Sequence, residues 1–577
     1  MLLIDGTFSF ATPFCACIFN KHSNALHFIL EPGIFIMKTL ILGNILYMIS
    51  RQNIVCAALF SFGFLLPDLY LGHVTKMLSC TIPLTTVISV LALSLVLSMV
   101  KSRRFLFTIV GIITIAQAVQ LNHWAYFGAP INSQDITKAF VEFDEIFEAG
   151  ASMLGSLWPV WLAQALSLAF FVAAVVYTKK CRHTPFMWGV VLLALAVNPM
   201  LSYLKGHQLF HTKPISSTLH NTLRAFSDWL VNKQVKLHDF HYKPYVITYG
   251  KPKVKNVVFI MGESVSSRYM QLYGYKNANT PFLEKLKGDA NFAYVKGISS
   301  SVDTLTGLQL FFNIGHNPSF TDLINSKAAN LFRLARHQGY KTFLISAQGE
   351  GLFHEIGTQF IDIYSFKKDT LKSLKEKGDE ALFDVLTGQE FGDKNFIVIH
   401  LRHIHEPYSN WEKYFPHMQT KKSINSRKQQ TKNEYSHAIA YHDHWVKECI
   451  TCIKKILPSD TVVVFTSDHG QLVGEDGLFG HNLMRSEVVD VPVWAYAINT
   501  DQSLNHYLKS QKICSHYDLG KQIAMLFGAE IANPNEDPTL QFVHGTELHT
   551  NYEYMPWKKT NGKAEFLKTE KIGVTAK

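Results

Sequence analysis

Two carboxylates and a group of histidines stand where apolar runs end in this 577-residue chain. NVVFIMG (Asn256–Gly262) runs straight into Glu263, and TVVVFTS (Thr461–Ser467) runs into Asp468 and His469. NFIVIHL carries His400, with His403 and His405 just beyond it, and His481 follows in GEDGLFGH. A carboxylate at the end of a buried strand is costly unless something pairs with it. Singly, each residue has a plain reading: a solvated Glu263, or a histidine satisfied in the core or at the surface. Together they offer oxygen and imidazole ligands suited to a zinc-like divalent ion.

A hydroxyl-rich turn, GISSSVDTLTGLQLFF (Gly297–Phe312), precedes an apolar helical pattern. A metal held by Glu, Asp and His can also bind a Ser or Thr oxygen, lower its pKa and make it a nucleophile. A helix N-terminus adds N–H donors for a phosphoryl oxyanion, and rim histidines can hold phosphate oxygens or protonate a leaving group. The chemistry read from these parts is phosphoryl-type group transfer through a covalent enzyme intermediate. Thr304 and Thr306 are the two candidate nucleophiles. Residues two apart differ by about 200° round a helix, so both cannot face one ion, but helix position alone does not choose between them. Asp303 and Thr304 are also plain capping residues.

The elements that must position these groups follow from the patterning after about residue 235. Strand candidates NVVFIMG, YKTFLISA, NFIVIHL, TVVVFTS and VPVWAYAI alternate with helical stretches TPFLEKL, SKAANLFRLARHQG and NEYSHAIAYHDHWVKECITCIKKIL. Continuous apolar strands between helices predict an α/β domain with a mostly parallel sheet covered on both faces. The C-terminal strand ends then share one edge, where ligands gather in such sheets. Lys421–Glu434 is basic and reads as a loop. Cys449 and Cys452 form a CxxC without a second pair at zinc-site spacing, and read as helix cysteines or a local redox pair.

Charged residues are 17% of the chain and hydrophobic ones 47%, against a usual charged share of about 25%. The imbalance lies in the first 204 residues. Five segments approach the ~20 residues needed to span a bilayer: Ile54–Leu71, Leu78–Val100, Phe105–Leu121, Leu157–Tyr177 and Phe186–Leu204. Lys101–Arg104 and Lys179–His183 place two loops in the cytoplasm by the positive-inside rule, so the loop 122–155 and everything after Leu204 fall outside. Residues 1–53 form an uncertain N-terminal segment with a possible extra span at Ile34–Ser50. Residues 122–155 are amphipathic and suit a surface helix, residues 205–234 form a bridging helix or linker, and residues 235–577 the outer catalytic domain. The net charge of +10 suits anionic partners. No nucleic-acid motif is present, which favours a membrane.

GESVSSRYMQLYGYKNANTPFLEKL and SDHGQLVGEDGLFGH resemble the two metal motifs of the membrane-bound phosphoethanolamine transferases, in the alkaline phosphatase–sulfatase superfamily. The five-span anchor before an external α/β domain is similar too. The resemblance implies a Zn2+ site of Glu263, Asp468, His469 and a threonine, with His405 and His481 on the phosphate of the substrate or phosphoenzyme. The family's turn reads Thr-x-Thr-small, which puts Thr306 in the reactive place and Thr304 in reserve, with Gly307 letting a phosphate approach the backbone. It further implies phosphatidylethanolamine as donor, lipid A or lipopolysaccharide core sugar as acceptor, and a bacterial inner-membrane location with the catalytic domain in the periplasm. The turn lacks the cysteines that flank the nucleophile in lipid A-modifying members, which leans toward a core-sugar acceptor. Gln471 stands where many relatives carry Glu. Rival readings are a phosphoglycerol transferase, a sulfatase-like hydrolase (against which the absence of C-x-P-x-R counts) and a catalytically dead envelope scaffold.

Overall fold

The computed structural model describes residues 50–74, 84–100, 102–127, 130–131, 135–136, 139, 157–178, 217–232 and 243–571, the last apart from 278, 317, 319–320, 354, 409–426 and 546–552. The expected fifth span, Phe186–Leu204, all of Ile34–Ser50 except Ser50, and about two thirds of the loop 122–155 lie outside these residues.

The apolar part contains helices α1 (Arg51–Val74), α2 (Leu84–Ser98), α3 (Arg103–Phe127) and α4 (Trp158–Tyr177). Phe60, Phe64, Val90, Leu97, Leu106, Val110, Phe171 and Val175 form their common core. Gly63 lets α1 reach α4, because a Cβ there would lie 2.6 Å from the Phe171 ring. The outer faces carry exposed Phe62, Ile88, Phe107, Ile112, Ile115 and Leu162. An apolar surface of this extent is poorly suited to water. Among the described residues, α1, α3 and α4 are long and apolar enough to cross a membrane, while α2 is shorter. A fifth helix, α5 (Thr218–Asn232), is capped from α1: Asp68 Oδ1 accepts from Thr218 N at 2.7 Å and Thr218 Oγ1 at 2.8 Å.

Beyond residue 243 the chain forms an eight-stranded sheet in the order β11-β3-β10-β7-β2-β6-β4-β5. Its strands are β2 (Asn256–Gly262), β3 (Phe292–Ile298), β4 (Lys341–Ser346), β5 (Ile363–Ser365), β6 (Asn395–His400), β7 (Thr461–Ser467), β10 (Asp490–Ile498) and β11 (Ile513–Ser515). β2 is central and parallel to β6 and β7, with Asn256 level with Asn395 and Thr461. The expectation of a mostly parallel sheet holds, with one difference: β10 runs antiparallel between β3 and β7. After Asp490 its residues, VPVWAYAI, are apolar or aromatic and buried on both faces, as in a parallel strand, so composition does not reveal its direction.

Side-chain alternation divides β2 between two cores. Val257, Phe259 and Met261 face Phe311, Phe312 and Phe332. Val258 and Ile260 face Ile439, Trp445 and Val446. Each such residue, fully buried, contributes about 2 kcal/mol. Helices α6 (Pro281–Leu286), α7 (Thr304–Phe312), α8 (Arg427–Ile456) and α9 (His516–Leu526) are among those that cover the faces. α8 begins inside the basic stretch read as a loop. Cys449 and Cys452 lie on α8 and form no disulfide. Smaller pairings complete the domain: β1 (Val246–Tyr249) with β12 (Ala529–Ala532), the hairpin β8 (Leu472–Glu475) and β9 (Leu478–Gly480), and a C-terminal sheet of β13 (Gln541–His544), β14 (Glu553–Thr560), β15 (Lys563–Phe566) and β16 (Glu570–Lys571).

Candidate active site

The ends of β2, β6 and β7 meet at one edge because the three strands are parallel and in register. Gly262 pairs with Ser467, and Met261 with His400. The next residues, Glu263 and Asp468, are therefore neighbours, and both are buried. A sharp turn follows Glu263. Ser264 adopts φ +60°, a left-handed conformation unusual for a residue with a Cβ. It is held from all sides: Ser264 N donates to Asp468 Oδ1 at 3.0 Å, Val265 N to Ser467 Oγ at 2.8 Å and Ser266 N to the Tyr435 hydroxyl at 2.8 Å. Tyr435 donates in turn to Ser264 O at 2.6 Å. Strain fixed in this way marks functional turns.

Glu263 Oε1 accepts from Ser264 Oγ at 2.7 Å, and Oε2 from Gln348 Nε2 at 2.8 Å and Thr304 Oγ1 at 3.2 Å. His469 Nε2 lies 3.2 Å from Thr304 Oγ1, 3.4 Å from Asp468 Oδ2 and 3.6 Å from Glu263 Oε1. Its Nδ1 faces Gly470 O at 2.8 Å. A carbonyl only accepts, so Nδ1 carries a proton, and Nε2 is the ring nitrogen turned toward the carboxylates. Glu263, His400 and Asp468 each offer a ligand atom, all within 4.8 Å of one another. Asp468 Oδ2 is buried and accepts no hydrogen bond.

Charge sharpens the picture. Burial pushes the Glu263 carboxyl up, but His469, His405, His481 and the Gln348 hydrogen bond together hold it below the usual carboxylate range. Burial and the neighbouring Glu263 charge push Asp468 well above that range. Two buried carboxylates in contact resist joint ionisation. A divalent cation relieves that repulsion and gives Asp468 Oδ2 a partner, so the donor set fits one.

The two threonines are separated by the start of α7. Asp303 is the N-cap, its Oδ1 accepting from Thr306 N at 3.1 Å. Thr304, the first helical residue, brings its hydroxyl to Glu263 and His469. The Thr306 hydroxyl is buried with no hydrogen-bond partner. A Cβ on Gly307 would lie 3.3 Å from Asp468 O, so its absence lets α7 pack on the end of β7. His516 on α9 holds the turn from below, its Nδ1 accepting from Ser300 N at 3.1 Å and its Nε2 3.2 Å from Thr466 Oγ1.

At the rim, the His481 ring centroid lies 4.1 Å from that of His469, and His481 Nδ1 lies 3.2 Å from Gln471 Oε1. Gln471 also donates to the Tyr408 hydroxyl, so this residue orients His481. His405 Nδ1 contacts Glu406 O at 2.7 Å. His400, Gln348, Tyr435 and His516 are participants that sequence reasoning did not assign. His400 carried a signal, its place at a strand end; the other three lie in ordinary-looking segments. The hairpin β8–β9 reaches the apolar helices. The Arg427 guanidinium lies 4.1 Å from the Phe479 ring centroid, and Arg427 Nη1 donates to Ala125 O on α3 at 3.2 Å.

Residues 255–529 match the family described as Sulfatase. Among curated proteins, the chain is 22% identical over 255 residues to phosphoethanolamine transferase EptA of Helicobacter pylori, covering 42% of this chain and 47% of that one. It is 24% identical over 234 residues to the Kdo(2)-lipid A phosphoethanolamine 7''-transferase of Escherichia coli, covering 38% and 39%. It is 26% identical over 350 residues to phosphoethanolamine transferase EptC of Escherichia coli, covering 53% and 59%. The chain thus spans about half the length of the curated relatives it matches. Among solved structures, the integral membrane lipooligosaccharide phosphoethanolamine transferase A of Neisseria meningitidis superposes with a TM-score of 0.55 at 18% identity, over 82% of this chain and 95% of that one. That likeness extends the shared fold from the α/β domain to the apolar helices before it. Residues 255–529 thus form a sulfatase-like domain, and its fold together with that of the apolar helices is shared with a solved phosphoethanolamine transferase.

Proposed function

We propose that this chain is a membrane-anchored phosphoethanolamine transferase whose nucleophile is Thr304. The observation that carries the reading is the Thr304 hydroxyl, placed at a helix N-terminus within 3.2 Å of both Glu263 and His469. The names of the three curated relatives supply the transferred group. The contact of Arg427 with Ala125 supports a donor drawn from the bilayer, because it sets the site's hairpin against the helix α3.

Glu263, Asp468, His469 and Thr304 Oγ1 would hold a zinc ion, with His400 beside them. When bound, the ion supplies Lewis acidity that favours the alkoxide form of the hydroxyl. Thr304 attacks the phosphorus of phosphatidylethanolamine; a Thr304 O–P bond forms and the bond from phosphorus to the diacylglycerol oxygen breaks. Glu263 Oε2, 3.2 Å from the hydroxyl, accepts its proton. His405 and His481 hold the phosphate oxygens, and one of them gives the departing oxygen a proton. An acceptor hydroxyl, on lipid A or a lipopolysaccharide core sugar, then attacks phosphorus and gives its proton to the histidine that lost one; the bond from phosphorus to Thr304 Oγ1 breaks, and Thr304 recovers its proton from Glu263. Thr306 is set aside as nucleophile in this reading because its hydroxyl meets neither Glu263 nor His469. The catalytic domain faces the periplasm of a bacterial inner membrane, and a reporter fused after Val235 should work only there. Mass spectrometry of envelope lipids from cells with and without the gene tests the reading. A phosphoethanolamine increment present only with the gene is expected. An increment of phosphoglycerol, or none, would overturn it.

A further inference from the structure

Three residues outside the cluster form a buried polar chain beside it. Asp379 lies on the single helical turn Gly378–Glu380, between two helices of one sheet face. Its Oδ2 accepts from Arg402 N at 2.6 Å, from His403 N at 2.9 Å and faces His403 Nδ1 at 3.0 Å. The other nitrogen of His403 lies 3.0 Å from Nδ1 of His442, which is fully buried on α8. The surroundings are aromatic: Tyr441 and Trp445 lie beside His403, and Phe465 beside His442. His442 Nε2 makes no hydrogen bond, so the chain ends there. A buried network of this kind is maintained only if it fixes something, because each unmade bond would be costly.

What it fixes is the turn that carries His405. Leu401 continues β6 by donating to Met261 O at 2.9 Å, and His405 N closes the turn on Arg402 O at 2.8 Å. Between these points both backbone donors, Arg402 N and His403 N, are taken by Asp379. His442 and Tyr435 are two helical turns apart on α8, hence on one face. That face thus fixes the Glu263 turn through Tyr435 and the His405 turn through His442. Burial pushes the Asp379 carboxyl up, but the His403 hydrogen bond and charge and the two amides hold it below its ordinary range.

We propose that Asp379, His403 and His442 are positioning residues that set the turn carrying His405, the residue read above as holding a phosphate oxygen. This rests on the phosphoryl-transfer reading above. The test uses the full-length protein in nanodiscs, loaded with zinc, with Asp379→Asn, His442→Leu and His442→Asn made alone and combined with His405→Ala. Inorganic phosphate is titrated by calorimetry, zinc content is measured, and KM and kcat are determined for phosphatidylethanolamine. Asp379→Asn and His442→Leu should each weaken phosphate binding about 10-fold, a displacement effect, and raise KM more than they lower kcat. Zinc content should not change. His442→Asn, whose amide can occupy the Nδ1 position, should recover most of the loss even where the leucine variant misfolds. Beside His405→Ala, neither change should weaken phosphate further. Wild-type phosphate affinity in Asp379→Asn, or losses that add in full to that of His405→Ala, would overturn the proposal. Phosphate coupling without transfer by the wild type would overturn the functional reading alone.

Discussion

Tyr435→Phe removes one oxygen and tests how firmly the Glu263 turn is built. That hydroxyl donates to Ser264 O at 2.6 Å and accepts from Ser266 N at 2.8 Å, and Tyr435 is fully buried. Phenylalanine would leave a carbonyl and an amide without partners and no route for water to replace them. Each such group costs about 1–3 kcal/mol, so the loss should be about 2–6 kcal/mol. The same bonds hold Ser264 at φ +60°, and their loss lets the turn relax away from Asp468. For a domain of this size each kcal/mol moves Tm by about 2–4 °C, so a fall of about 4–24 °C is expected. Zinc affinity should fall about 10- to 100-fold, as for outer-shell changes at other metal sites. Thermal unfolding of the full chain, with and without added zinc, reads both effects. A Tm within about 1 °C of wild type with unchanged zinc uptake would refute the claim that Tyr435 holds this turn.

Gly307→Ala should cost most of the transferase activity while changing stability by no more than about 1 kcal/mol, because the gain in helix propensity offsets the crowding. Its Cβ, 3.3 Å from Asp468 O, pushes apart α7 and the end of β7; wild-type turnover would count against this packing role. Asp468→Ala should lose tightly held zinc, measured by elemental analysis after dialysis, and full occupancy would remove Asp468 from the ligand set. Acid stability should depend on His516, held down to about 3 mainly by burial. Its stabilisation is complete above pH 6.5 and is lost as pH falls toward 3, because the unfolded chain takes up a proton that the folded one refuses. His516→Gln should therefore flatten the fall of stability between pH 6 and 4 by up to about 1.4 kcal/mol per pH unit; an unchanged acid slope would contradict it.

The sequence reading reached the edge where Glu263, Asp468, His469 and His400 meet, because apolar runs ending in ligand-type residues are a local signal. Parallel register then brings the ends together without further information. The direction of β10 was hidden, since a strand buried on both faces has no alternation to read. The start of α7 was legible in the capping residues Asp303 and Thr304, but which threonine it turns to the carboxylates was not. Motif resemblance favoured Thr306, but Asp303 caps the helix one residue earlier, which puts Thr304 rather than Thr306 at the carboxylates. Tyr435, Gln348 and His516 left no trace because their roles depend on contacts with residues 85 to 216 positions away.

The most direct measurement is to trap the phosphoethanolamine-bearing enzyme with phosphatidylethanolamine and no acceptor, then map the modified residue by peptide fragmentation. The account predicts the modification on Thr304, lost in Thr304→Val and kept in Thr306→Val. Modification on Thr306, or a Thr304→Val protein that still transfers, would contradict it.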